Sequence, residues 1–67
     1  MPKIKNNIKL YRVQADLTQE QLATILRISR ESLLFIEKGK HFPSIKIAMK
    51  MAKFFKIKVD DIFYFEE

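Results

Sequence analysis

Apolar residues recur at helical spacing in several stretches of the chain, and most of these stretches follow a small polar residue suited to start a helix. Between Leu17 and Pro43, the residues Leu22, Ala23 and Leu26 form one stripe, Leu33 and Ile36 form another, and Ile28 lies between them. Thr18 precedes the first stripe with Gln21 three residues on, the spacing of a capping box. Ser29 precedes the second, with Ser32 in the corresponding place. The pattern predicts two short helices within about residues 19–38, the first ending near Leu26 and the second running from Arg30 to Lys38. A tight turn joins them, and Gly39 is suited to the left-handed conformation that closes a helix. Neither helix is long enough to be stable alone, so each buries its stripe against the other and against the rest of the chain.

The flanks follow the same rule. Asn6 or Asn7 can cap a first helix running to about Ala15, with Ile8, Tyr11 and Ala15 on one face. Pro43 marks a loop, and Ser44 can cap a fourth helix with Ile45, Ala48, Met51, Ala52 and Phe55 on one side and Lys46, Lys50 and Lys53 on the other. Val59 to Phe63 reads as a last short helix. Residues 3–5 and the run Phe63-Tyr64-Phe65 are the strand-like pieces, and they are expected to pair as a small antiparallel ribbon between the termini. The expected fold class is all-α, with five helices and this ribbon, in a single domain over residues 1–67.

Composition narrows the picture. A chain of 67 residues without cysteine is short for a self-sufficient core and has no disulfide or thiolate metal site, which leaves dimerisation as the remaining staple. The net charge is +5, but it is unevenly spread: residues 1–58 hold all 13 basic side chains and 4 acidic ones, whereas residues 59–67 hold 4 acidic and none basic. The body should attract a polyanion, and the C-terminus should face away from it. No apolar run is long enough for a membrane span and no signal-peptide core stands at the N-terminus, so the cytoplasm is the expected location. An enzyme is the least expected class, because the chain has a single histidine, no glycine loop for phosphate and no carboxylate pair in an apolar stretch. His41 has no ligand partner at metal spacing, and no cofactor is expected.

Tyr11-Arg12 ahead of Leu17-Thr18-Gln19, then Leu22-Ala23, Ile28-Ser29, Ile36-Glu37, Gly39 and Pro43-Ser44, together resemble the lambda-repressor/Cro-like, or XRE, helix-turn-helix family. The resemblance covers about Ile8 to Phe63. The segments Asn6-Asn7-Ile8-Lys9-Leu10 and Asp60-Asp61-Ile62-Phe63 are similar to those of short stand-alone members, in which a terminal ribbon accompanies five helices and a homodimer binds double-stranded DNA. Two positions depart from the family pattern, Arg27 and Lys56 standing where glycine is usual in the turns. A left-handed residue with a Cβ costs about 1 kcal/mol or more, so either the turns relax or the core absorbs the strain.

The resemblance implies phosphate contacts from Thr18 and Gln19 at one helix start, from Ser29 and Ser32 at the next, and from Lys38, Lys40 and His41 in the loop beyond. A bare capping role for Thr18 is an equal alternative. It also implies that the third helix reads bases through Arg30, Glu31, Leu34 and Phe35. Arginine can grip guanine, glutamate can accept from cytosine N4, and Phe35 can touch a thymine methyl. Surface ion pairing of Arg30 with Glu31 or Glu37, and coverage of a dimer or fourth-helix surface by Leu34, stay open. The family pairs the positions of Arg12 and Glu37 as a structural ion pair, and a carboxylate near a helix C-terminus needs such a cation. The lysines of the fourth helix are most simply a solvated face.

The expected function is a sequence-specific transcriptional regulator, read as a repressor, that binds a near-palindromic operator as a homodimer. The alternative is an antitoxin-like or accessory protein-interaction module using Leu34, Phe35, Phe54 and the aromatic tail. A membrane-surface role for residues 44–58 would need that helix to leave the domain, which its regular apolar face argues against.

Overall fold

Each helix of the computed structural model, which describes residues 3–66, begins where a side chain meets backbone N–H groups that a helix start leaves without partners. Strand β1 (Lys3–Asn6) leads into α1 (Ile8–Gln14), followed by α2 (Gln19–Leu26), α3 (Arg30–Glu37), α4 (Ile45–Phe55), α5 (Val59–Ile62) and strand β2 (Phe63–Glu66). Asn6 Oδ1 accepts from the N–H of Ile8, and its amide donates to the Ile36 carbonyl at 3.0 Å, so one side chain ties the start of α1 to α3. At α2 the capping box is complete: Thr18 Oγ1 accepts from Gln21 N, and Gln21 Oε1 accepts from Thr18 N. Ser29 and Ser44 cap α3 and α4 with their hydroxyls. Asp61 Oδ2 accepts from Lys58 N at the start of α5.

The strands pair antiparallel, with Lys3 opposite Glu66 and Asn6 opposite Phe63. The core draws on every helix: Ile8, Leu22, Leu26, Leu33, Met51 and Ile62 are fully buried. Burying each such side chain contributes about 1.5–3 kcal/mol, so the helices stand or fall together.

Helix ends differ from the sequence expectations in physically informative ways. Helix α1 stops at Gln14, and Ala15 is exposed rather than part of the apolar face. The inner place one turn after Ile8 belongs to Arg12, whose burial is compensated because each guanidinium nitrogen has a hydrogen-bond partner. Ile45 does not join the inner face of α4 either: it is 79% exposed, in the first turn, while Ile47, Ala48, Met51 and Ala52 face the core. Lys38 stands just outside α3 as its C-cap. Phe63 begins β2 instead of ending α5.

The turns do not relax. Arg27 (φ 61°) and Lys56 (φ 59°) keep the left-handed conformation without being glycine, as does Asp16 (φ 57°) after α1; Gly39 (φ 75°) does so after α3. All four ends close alike, with Leu17 N donating to Arg12 O, Ile28 N to Ala23 O, Lys40 N to Phe35 O and Ile57 N to Ala52 O. At the three non-glycine ends the next residue, Leu17, Ile28 or Ile57, packs against the core. That apolar anchor offsets the local strain.

Candidate nucleic-acid interface

The starts of α2 and α3 meet around one shallow cleft lined by Arg12, Thr18, Gln19, Glu20 and Arg30. Helix N-termini carry partial positive charge and present backbone N–H groups, so two of them converging beside the exposed Arg30 favour an anion there, with Glu20 the one carboxylate among the lining residues. Thr18 and Ser29 each satisfy a donor three residues on, in Gln21 and Ser32, and leave the earlier N–H groups of their helices outward. The Ser29 hydroxyl also donates to Ser32 Oγ at 2.8 Å. The second cap is therefore a hydroxyl pair and not a reciprocal box.

Along α3, Arg30, Glu31 and Phe35 are exposed, whereas Ser32 and Leu34 are half-buried and Leu33 and Ile36 point inward. Among the described residues Arg30 makes no ion pair with Glu31 or Glu37, so its guanidinium is available. Phe35 is 41% exposed, an apolar surface in the middle of an otherwise polar outward face. Lys38, Lys40 and His41 are exposed beyond the end of the helix.

Behind this surface lies a buried polar link. Arg12 Nε donates to Glu37 Oε2 at 2.7 Å, its Nη1 donates to the Leu17 carbonyl at 2.8 Å, and its Nη2 reaches Glu37 Oε1 at 3.4 Å. Gln19 Nε2 donates to the same Oε1 at 3.2 Å. One carboxylate at the end of α3 thereby holds both the arginine of α1 and the first residue of α2. Sequence reasoning assigned Gln19 to DNA alone and missed this bond, since no local spacing signals an 18-residue separation. It also passed over Lys3 and Lys5, which share a cleft with Lys38 and Gly39 once the ribbon forms. Lys5 lies 3.9 Å from Glu66 with both side chains about half exposed, a contact of little energy.

The family profile described as helix-turn-helix matches residues 8–62. An HTH-type transcriptional regulator of Methanocaldococcus jannaschii is 52% identical over 64 residues, covering 96% of this chain and 97% of that protein. One from Archaeoglobus fulgidus is 44% identical over 64 residues, covering 96% and 90%. A crystal structure from Bacteroides fragilis superposes with a TM-score of 0.80 at 20% identity, covering 91% of this chain and 98% of the other, and shows the same fold.

Proposed function

The chain belongs to the XRE-type helix-turn-helix family of DNA-binding transcriptional regulators, and from that membership we propose that it is a sequence-specific repressor acting as a homodimer on a near-palindromic operator. The observation that carries the reading is the convergence of the α2 and α3 starts around Arg30 and Gln19, with an outward α3 face that makes no ion pair among the described residues. In this reading α3 enters the major groove. Arg30 grips guanine O6 and N7, Glu31 accepts from cytosine N4, and Phe35 meets a thymine methyl while Leu34 fills space at its side. Thr18, Gln19, Ser29 and Ser32 with their helix ends, and Lys38, Lys40 and His41 beyond, take phosphates and fix the register. The motif occupies about residues 19–38 of a domain that spans the chain.

Dimerisation is supported by an exposed apolar surface that begins at Phe42, just beyond the loop residues Lys40 and His41. Phe42, Ile45 and Met49 are 59%, 79% and 59% exposed, and Ile4, Phe42, Pro43, Ala48, Val59 and Phe63 line an open apolar hollow. In this reading a second copy covers this face, and binding to two half-sites one turn of DNA apart requires the pair to hold its α3 helices about 34 Å from each other.

In-vitro selection of bound DNA by the purified protein tests the reading. A palindromic consensus with half-sites one turn apart is the expected result. Failure to enrich any sequence, or enrichment of a single unpaired half-site, would overturn the sequence-specific or the dimeric part respectively.

A further inference from the structure

A second groove lies between the end of α2 and the last turns of α4. Ile25, Leu26, Arg27, Lys50, Lys53 and Phe54 line it, around about 430 Å³ of open space. Its floor is apolar and solvent-facing: Ile25 and Phe54 are each 41% exposed, while Leu26 belongs to the core. Its rim is cationic, with Arg27, Lys50 and Lys53 and no carboxylate among the lining residues. The floor is also held in place. The Phe54 ring meets Phe55 edge-on at 5.1 Å, and Phe55 packs on Tyr11 at 5.7 Å, so an aromatic chain anchors Phe54 to α1. Arg27 sits in its left-handed turn, closed by hydrogen bonds from its own N–H and that of Ile28 to α2.

We propose that this groove is a docking site for an acidic amphipathic helix of a partner protein, whose bulky apolar residues seat on Ile25 and Phe54 while its carboxylates meet Arg27, Lys50 and Lys53. Two helices flanking a groove with an apolar floor offer the seat that a third helix fills with residues one turn apart. The uniform positive rim selects the sign of that helix and speeds its encounter. DNA is the weaker occupant, because a phosphate backbone gains nothing from an isoleucine and a phenylalanine on the floor. The proposal does not rest on the DNA reading, since it uses none of the residues assigned to that surface.

The test uses the intact protein and a fluorescein-labelled synthetic peptide of about 15 residues, long enough to form a helix, built from Leu, Ala and Glu with the leucines on one face. Nuclear magnetic resonance titration should shift the amides of Ile25, Arg27, Lys50, Lys53 and Phe54. Anisotropy should show binding that Lys50→Glu with Lys53→Glu weakens by about tenfold or more, and that Ile25→Ser also weakens. These sites are at the surface, and unchanged circular dichroism and melting would show that the variants fold. A peptide with the same residues scrambled off one face, or with Lys in place of Glu, should bind at least about tenfold more weakly. The proposal is overturned if the scrambled peptide binds equally well, if no amide in the groove shifts, or if the shifts map to Phe42, Ile45 and Met49. It is also overturned if the lysine variants lose random-sequence DNA binding with no peptide binding in the parent, which would make the groove a phosphate surface. Conversion of a dimer to a monomer by Ile25→Ser would assign the groove to a second copy, and would equally overturn it.

Discussion

Gln19, the first residue of α2, and Glu37, the last of α3, are joined by a 3.2 Å hydrogen bond from the glutamine amide to the carboxylate. Glu37 is at the same time the partner of Arg12, with side-chain exposures of 5% for the glutamate and 11% for the arginine. The helix-turn-helix angle is therefore fixed from behind by one buried charge with donors from two other segments. Such a pair is costly to break and cheaper to replace as a unit, because a lone buried charge has nothing to replace its water.

Arg12→Ala is accordingly expected to destabilise the fold by about 3–5 kcal/mol. Arg12→Met combined with Glu37→Leu should cost far less than the sum of the two single changes. Urea unfolding followed by circular dichroism measures both. A single-variant loss under about 1 kcal/mol would mean that the pair behaves like a surface ion pair.

The left-handed residues allow the backbone cost to be separated from packing. Gly39 has nothing within 4 Å of where a Cβ would sit, so Gly39→Ala should destabilise through φ alone, by about 1 kcal/mol. The reverse change, Lys56→Gly, should stabilise by about 0.5–1 kcal/mol, the relief of strain less the extra freedom that glycine gives the unfolded chain. Thermal or urea melts of the two variants check the opposite signs.

Much of this was legible in the chain. Thr18, Ser29 and Ser44 announce their helices because a cap is a local interaction, and the stripes at Leu22, Leu26, Leu33 and Met51 announce the core because burial is periodic. The pairing of residues 3–5 with the run 63–65 follows from two strand-like ends with no other partner, and the ribbon extends it by one residue on each strand, to Asn6 and Glu66. What stayed hidden depends on contacts between distant segments. The Arg12–Glu37 pair was expected from the family resemblance, but no local spacing marks Arg12 as an inner residue of α1, because its carboxylate comes from α3; Ile45 reads as core and is exposed because the buried face of α4 falls on Ile47, Ala48, Met51 and Ala52. The candidate site divides the same way: exposure of Arg30, Glu31 and Phe35 follows from helical phase, while the tether on Gln19 needed the fold.

The proposed dimer surface makes its own prediction. Ile45→Glu and Met49→Lys place charge on exposed apolar positions and should leave the protomer fold intact. Sedimentation equilibrium should then show a monomer where the parent is a dimer, and the melting temperature of the parent alone should rise with protein concentration. An unchanged mass in both variants would move the interface elsewhere.

Base reading and phosphate contact differ in how a loss is distributed over sequences, which gives the most direct check on the outward face of α3. Arg30 is exposed, lines the same cleft as Gln19 and makes no internal ion pair among the described residues, so under the proposed reading its removal should be felt at a single base pair. Arg30→Ala is expected to cost about 1–3 kcal/mol on the selected operator and to relax preference at one position in each half-site. Lys40→Ala removes an exposed charge from the loop after α3, and should weaken operator and random DNA alike while lowering the slope of log K against log salt by about one per protomer. Mobility-shift titrations over a range of salt, on operator, single-substituted operators and random DNA, separate the two. Equal losses on operator and random DNA for Arg30→Ala would place that arginine on phosphate and shift base reading to Glu31 and Phe35.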